Sequence, residues 1–267
     1  MSRRTLTTIV PLALALASAA ACSDHPTEPR DDDSQITADL AASAGEEIAG
    51  DVSLLTWGAT EATNAGGFGP ITSSGSPPCP FAAGRFTCAT MTAGAYTFDR
   101  SYQMFDAAGN VQSAYDDATT ASIQFRAALQ GSTTLPSLTA TVAAQREATV
   151  TGLAGSETQR EWNGTGSSTV TSQVTRESVT RSYSYSSSDA ISHLVFALPR
   201  ATHPYPMSGQ ITRDVSATLT REGGRTVSRS VQRHVVATFD GTSAVQLQVG
   251  TRSCTLVLDA KSVSCGG

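Results

Sequence analysis

Ile211–Arg221 and Arg225–Phe239 read ITRDVSATLTR and RTVSRSVQRHVVATF, and they flank the tripeptide Glu222-Gly223-Gly224. Both runs alternate apolar and polar residues, the period of a strand with one face toward a core. A three-residue loop with Gly224 in the left-handed conformation would set Leu219 opposite Val227, Val215 opposite Val231 and Ile211 opposite Val235. Apolar side chains then meet across one face. Phe239-Asp240-Gly241 turns the chain again into Ala244–Val249. The expectation is an antiparallel meander.

The same pattern extends upstream. Thr87–Phe98, Tyr102–Phe105, Ser122–Leu129 and Leu138–Val150 are rich in β-branched and aromatic residues, separated by turn residues such as Gly109-Asn110 and Gly131. Trp162-Asn163-Gly164 carries a two-residue hairpin signal. In Ser167–Ser188 thirteen of 22 residues are Ser or Thr. Val170, Val174, Val179, Tyr183 and Tyr185 within it still predict a long strand or a hairpin exposed on one face. Ile191–Leu198 is apolar enough for a central strand. Asp99, Asp106, Asp116 and Asp117 lie near Tyr102 and Tyr115. Paired carboxylates beside aromatics can form a glycosidase cleft, but aspartate beside a turn is favoured for backbone reasons.

Residues 36–50 hold the one helical stretch. Ile36, Leu40, Ala44 and Ile48 form a narrow apolar stripe, Thr37 can cap its start and Gly50 can stop it. Asp39, Glu46 and Glu47 are assigned to its polar face, which argues against a membrane-surface helix. Residues 57–78, rich in Gly, Ala, Ser, Thr and Pro, read as loop. Their Ala65-Gly66-Gly67-Phe68-Gly69-Pro70 tract lacks the ending of a phosphate loop. The fold class expected is mainly β: one antiparallel domain over 51–267, as an open curved sheet, a sandwich or a barrel-like form, with one short N-terminal helix.

Four of the five cysteines pair in the same logic. Cys254 opposite Cys265 sets Leu256 against Val263, with Leu258–Lys261 as a four-residue loop. Cys79 opposite Cys88 sets Phe81 against Phe86 around Ala83-Gly84, although Pro80 disfavours a regular strand there. Neither pair has the spacing of a zinc site, so no metal is expected.

Cys22 is left over. Arg3-Arg4, the apolar stretch Thr5–Ala20 and Ala19-Ala20-Ala21-Cys22 have the order of a signal peptide over 1–21. The small residues before Cys22 resemble the lipobox of bacterial lipoproteins, with Ala19 in place of the usual leucine. That resemblance covers only the leader and implies that Cys22 is diacylated and becomes the N-terminus. Ordinary cleavage after Ala21 would instead release a secreted protein. Residues 22–35, with Asp31-Asp32-Asp33, then form a disordered tether. The expected location is the bacterial cell envelope, at the outer membrane or on a periplasmic face. Beyond the leader, the chain looks like envelope lipoproteins to which no activity is attached.

Charge excludes one function class. Residues 52–267 carry fourteen acids and fifteen bases, so a nucleic-acid partner is not expected. No nucleophile elbow, H-E-x-x-H, EF-hand loop or dinucleotide fingerprint occurs, and no cofactor is implied. His203 and His234 could meet Asp214 or Asp240, but their spacing does not require it. Arg213, Arg229 and Arg233 share a face with Val215, Leu219, Val227 and Val231. Arginine pointing into a closed core is costly unless paired. That face is therefore either open to solvent, with Arg stems over valines, or lines a cavity for an anion. The reading is a non-catalytic, envelope-anchored binding or interaction module, with an envelope protein or an anionic or apolar ligand as partner. Its alternatives are a carrier of an apolar or anionic ligand in a curved-sheet cavity and a hydrolase without a recognisable motif.

Overall fold

The computed structural model describes residues 40–52, 55, 79–155, 157–176, 179–222 and 226–265. The leader, Cys22, the tether, the first four helix positions and the 57–78 loop lie outside these residues. The fold is mainly β, as the alternation requires. Helix α1 covers 40–52 and precedes the short strands β1 (Phe81–Ala82), β2 (Arg85–Thr87) and β3 (Met91–Ala93). Longer strands follow: β4 (Tyr96–Asp106), the two-residue β5 (Val111–Gln112), β6 (Thr120–Leu135), β7 (Leu138–Thr151), β8 (Gln159–Arg176) and β9 (Val179–Ala197). The chain ends on β10 (Ser208–Glu222), β11 (Val227–Thr238), β12 (Ala244–Val249), β13 (Arg252–Val257) and β14 (Ser262–Cys265). All pairings are antiparallel and nearly all join chain neighbours, in the order β1-β2-β4-β6-β7-β8-β9-β10-β11-β12-β13-β14, with β3 and β5 pairing β4. The sheet is open and does not close into a barrel.

The sheet curls around α1. Asp51 on the helix pairs with Arg146 on β7, while a Cβ added at Gly45 would sit 2.3 Å from Val263 Cγ2 on β14. Seven flat inter-strand steps would separate β7 from β14 by about 34 Å. Gly45 and Asp51 are only about 9 Å apart along a helix axis. Strands that distant can both touch one helix only if the sheet bends over it. Gly45 marks the closest approach, where any side chain would collide.

Three regions differ from the expected pattern. The β10–β11 register places Leu219 opposite Arg229, Val215 opposite Arg233 and Ile211 opposite Ala237. That is two residues from the expected pairing, and an even shift leaves every side chain on its expected face. Packing at the base selects it: Ile211, Val235 and Ala237 are fully buried, whereas at the hairpin tip Leu219 and Val227 are exposed in either register. Thr87–Phe98 is not one strand. Cys88 and the turn at Gly94, with φ 63°, split it into β2, β3 and the start of β4. Trp162-Asn163-Gly164 is not a hairpin but lies inside β8, where the register slips by one residue. Asn163 Oδ1 accepts the His193 backbone N–H at 2.8 Å and His193 takes a φ of 49°. The turn-forming asparagine thus steadies a bulge.

Other expectations hold. Cys79 is bonded to Cys88 and Cys254 to Cys265, with Phe81 facing Phe86 and Leu256 facing Val263. Val257 pairs with Ser262, leaving 258–261 as a four-residue loop in which Lys261 takes the positive φ, 48°. Within Ser167–Ser188, residues 167–176 and 179–188 pair antiparallel, as β8 with β9. Asp106 Oδ1 accepts the backbone N–H groups of Ala108 and Asn110, and Asp116 Oδ1 those of Ala118 and Thr119. These aspartates serve turns.

Candidate functional site

The concave face divides into two halves along the strands. Toward one end Ile123, Val150, Trp162, Ile191, Leu194, Phe196, Ile211, Leu247 and Leu256 form the core, all 4% exposed or less. Helix α1 covers this half. Its buried positions 40, 41, 44, 45, 47, 48, 49, 51 and 52 subtend an arc of about 200° at 100° per residue. The narrow stripe expected from sequence is therefore a correction. The sheet wraps the helix, and Glu47, assigned above to the polar face, is buried with Asp51.

Those two carboxylates belong to an ionic cluster between helix and sheet. Glu47 and Asp51 lie four residues apart, on one face of α1. Arg213, from β10 and fully buried, donates from Nη1 to Glu47 Oε2 and from Nη2 to Asp51 Oδ2 at 2.6 Å. Arg146, from β7, donates from Nε to Asp51 Oδ1 at 2.9 Å, and its Nη1 lies 3.1 Å from Asp189 Oδ2 on β9. Gly166 on β8 makes room for this contact: a Cβ there would lie 2.2 Å from Arg146 Nη1 and 2.5 Å from Asp189 Oδ2. Three carboxylates thus meet two guanidiniums, leaving one surplus negative charge in a buried site. Burial pushes Asp189 up to about 6, with Asp51 adding to the rise and Arg146 opposing it. Asp51 is raised by burial against the pull of Arg146. Burial lowers Arg213 to about 10.

Beyond the cluster the long hairpins run on without α1. Strand alternation puts Val142, Val170, Val174, Tyr183, Tyr185, Ala217, Leu219, Val227 and Val231 on the concave side, together with Arg181, Arg221, Arg229 and Arg233. Leu219, Val227 and Leu135 are 37%, 47% and 55% exposed. The convex side is a hydroxyl surface. Ser132, Thr141, Thr171, Ser184, Thr218 and Ser230 align in register across six strands, so that side presents rows of hydroxyls to water.

No family model matches the chain, nor does any curated protein or solved structure. The reading of the site therefore rests on its own geometry.

The arginines expected to share one ligand-facing surface share a face but not a site. Arg213 is sealed beneath the helix. Arg229 is exposed and Arg233 half-buried, with Arg233 Nη1 donating to the Gln232 carbonyl at 2.9 Å. The paired closed-core case thus applies to Arg213. His234 Nδ1 lies 2.7 Å from Asp214 Oδ1, an exposed cross-strand pair on the convex side. His193 Nδ1 lies 2.6 Å from Glu161 Oε1 at the bulge, and His203 is exposed. Among the described residues no group of three or more His, Cys, Asp or Glu could hold a metal ion, and no helix is long and apolar enough to cross a membrane. Sequence reasoning missed Arg146, Asp189 and Asp51. A signal was available: Arg146 is the one polar residue with the parity of its strand's apolar residues, and Asp189 is the one acid with the parity of Tyr183, Tyr185 and Ile191.

Proposed function

We propose that this protein is a non-catalytic binding module of the bacterial cell envelope, held to a membrane through lipid on Cys22. The leader order and a fifth cysteine outside both disulfides support the anchor. The observation that carries the binding role is the division of the concave face: half is occupied by α1, and half leaves Leu219, Val227, Arg221 and Arg229 toward solvent. An aliphatic floor beneath guanidiniums suits an anionic or apolar partner. The partner is an envelope component or a ligand within reach of the tether.

Two comparisons test the reading. The precursor and Cys22→Ser, expressed in a bacterium, are compared by detergent partition, and only the former is expected in the detergent phase. Both forms staying aqueous would remove the anchor. Wild type and the Arg221→Ala/Arg229→Ala pair are then crosslinked in the envelope. Species held by wild type and lost from a folded double variant support binding through this face. Identical patterns would favour a purely structural role, and a hydrolase activity lost in His234→Ala would favour an enzyme.

A further inference from the structure

The open half of the concave face carries an arrangement that is unfavourable by itself. Arg181 on β9 stands directly opposite Arg221 on β10, and like charges directly opposed destabilise a sheet. Arg229 on β11 is opposite Leu219, one step along from the Arg221–Val227 pair, which makes it a diagonal neighbour of Arg221 at about 7–8 Å. Arg181 and Arg221 therefore face each other on one side of adjacent strands, and Arg229, which has interactions of its own, stands beside them. Among the described residues no acid shares this face between the cluster and the hairpin tips. The first carboxylate along β9 is Asp189, buried 6% exposed beneath α1 and already paired with Arg146. Glu222 has the opposite strand parity and belongs to the convex side.

Directly beside the arginines the face is apolar. Val174 pairs with Arg181 on the β8 side, Tyr183 pairs with Leu219 and Val227 pairs with Arg221. The Tyr183 and Tyr185 rings lie 6.5 Å apart at 21°, extending the floor toward the helix. A hydrated salt ion would use the guanidiniums and leave Leu219 and Val227 exposed. A neutral hydrocarbon would cover them and leave the like-charge pair unrelieved. One ligand class satisfies both.

We propose that this face binds an anionic amphiphile: a phosphate-type head held by Arg181 and Arg221, with an alkyl chain lying over Leu219, Val227 and Tyr183. Guanidiniums bind phosphate oxygens with paired N–H groups, and the anion removes the repulsion between the two facing arginines. The inference rests on the binding-module reading and names its ligand class and site.

Dodecyl phosphate, kept below its micelle concentration, is titrated by calorimetry into the full chain. Inorganic phosphate and dodecyl maltoside are the controls for head alone and chain alone. Dodecyl phosphate is expected to bind at least tenfold more tightly than either. Arg181→Gln with Arg221→Gln should weaken it at least tenfold with the circular dichroism unchanged, and Leu219→Asn, which keeps every arginine, should weaken it several-fold. Inorganic phosphate binding equally well would make this a simple anion site, and dodecyl maltoside binding equally well would make it a neutral groove. Either result, or unchanged binding in both variants, overturns the proposal. If dodecyl phosphate fails while arginine-dependent crosslinks persist in the envelope, only the ligand class is wrong. If both fail, the binding reading falls with it.

Discussion

Arg213→Ala is expected to cost about 3–5 kcal/mol, the penalty for breaking a buried pair and stranding its partners. Arg213 is fully buried and bridges Glu47 and Asp51, so alanine leaves three carboxylates facing Arg146 alone. Against an ordinary domain stability of roughly 5–15 kcal/mol, the loss is large and local. Hydrogen exchange should rise first across residues 40–52, because the stranded carboxylates belong to α1 and can reach water only by undocking. The intact cluster is not the main attraction. Leu40, Ile48, Val52 and Leu55, all buried, each contribute about 1.5–3 kcal/mol of apolar burial. The ions fix which face of α1 meets the sheet and at what height. A loss below about 1 kcal/mol in denaturant, within the range of exposed pairs, would show that they do not.

Acidification is expected to stabilise the protein between pH 7.5 and 5, which is unusual for a buried carboxylate beside arginine. Asp189 rises from 3.8 to about 6, chiefly through burial, so the folded state holds this proton more tightly than the unfolded chain. Stability from this group is complete below pH 3.8, falls as pH rises through that window and is gone above about 6. The span is worth about 3 kcal/mol, of which about 1.4 kcal/mol is present at pH 5. The cluster explains the direction. Glu47, Asp51 and Asp189 outnumber Arg146 and Arg213 by one charge, with Tyr185 the other titratable side chain close to Asp189, and one proton makes the set neutral. Asp106, Asp240 and Glu161, held low by hydrogen bonds, oppose the trend only in more acid solution. Denaturation midpoints of wild type and Asp189→Asn across this range decide it. The variant should lose the gain, and a wild type destabilised from pH 7.5 to 5 would contradict the assignment.

The parts of this fold legible in sequence are those fixed by local chemistry. Alternation in Ile211–Phe239 revealed the strands and their faces, and cysteine spacing with flanking apolar pairs revealed two registers to the residue. The β10–β11 register escaped because Glu222-Gly223-Gly224 permits more than one loop length, while the selection occurs at Ile211 and Ala237, far from the turn. Asn163-Gly164 misled because an asparagine that suits a turn suits a bulge equally well. Glu47 was placed on the wrong side of the helix because hydropathy assigns every carboxylate to water. Its partner Arg213 lies 166 residues away. The arginine face was visible as a pattern, but only the position of α1 separates buried Arg213 from exposed Arg221 and Arg229.

Arginine-selective modification distinguishes the closed half of the concave face from the open half. The full chain is treated with phenylglyoxal and the modified arginines are mapped by peptide mass spectrometry over time. Arg221 and Arg229 should react early, while Arg146 and Arg213 lag by at least about tenfold, because reaching them requires local opening of α1. Arg213 reacting as fast as Arg221, or Arg221 and Arg229 remaining protected in the purified protein, would contradict a concave face that is half closed and half open.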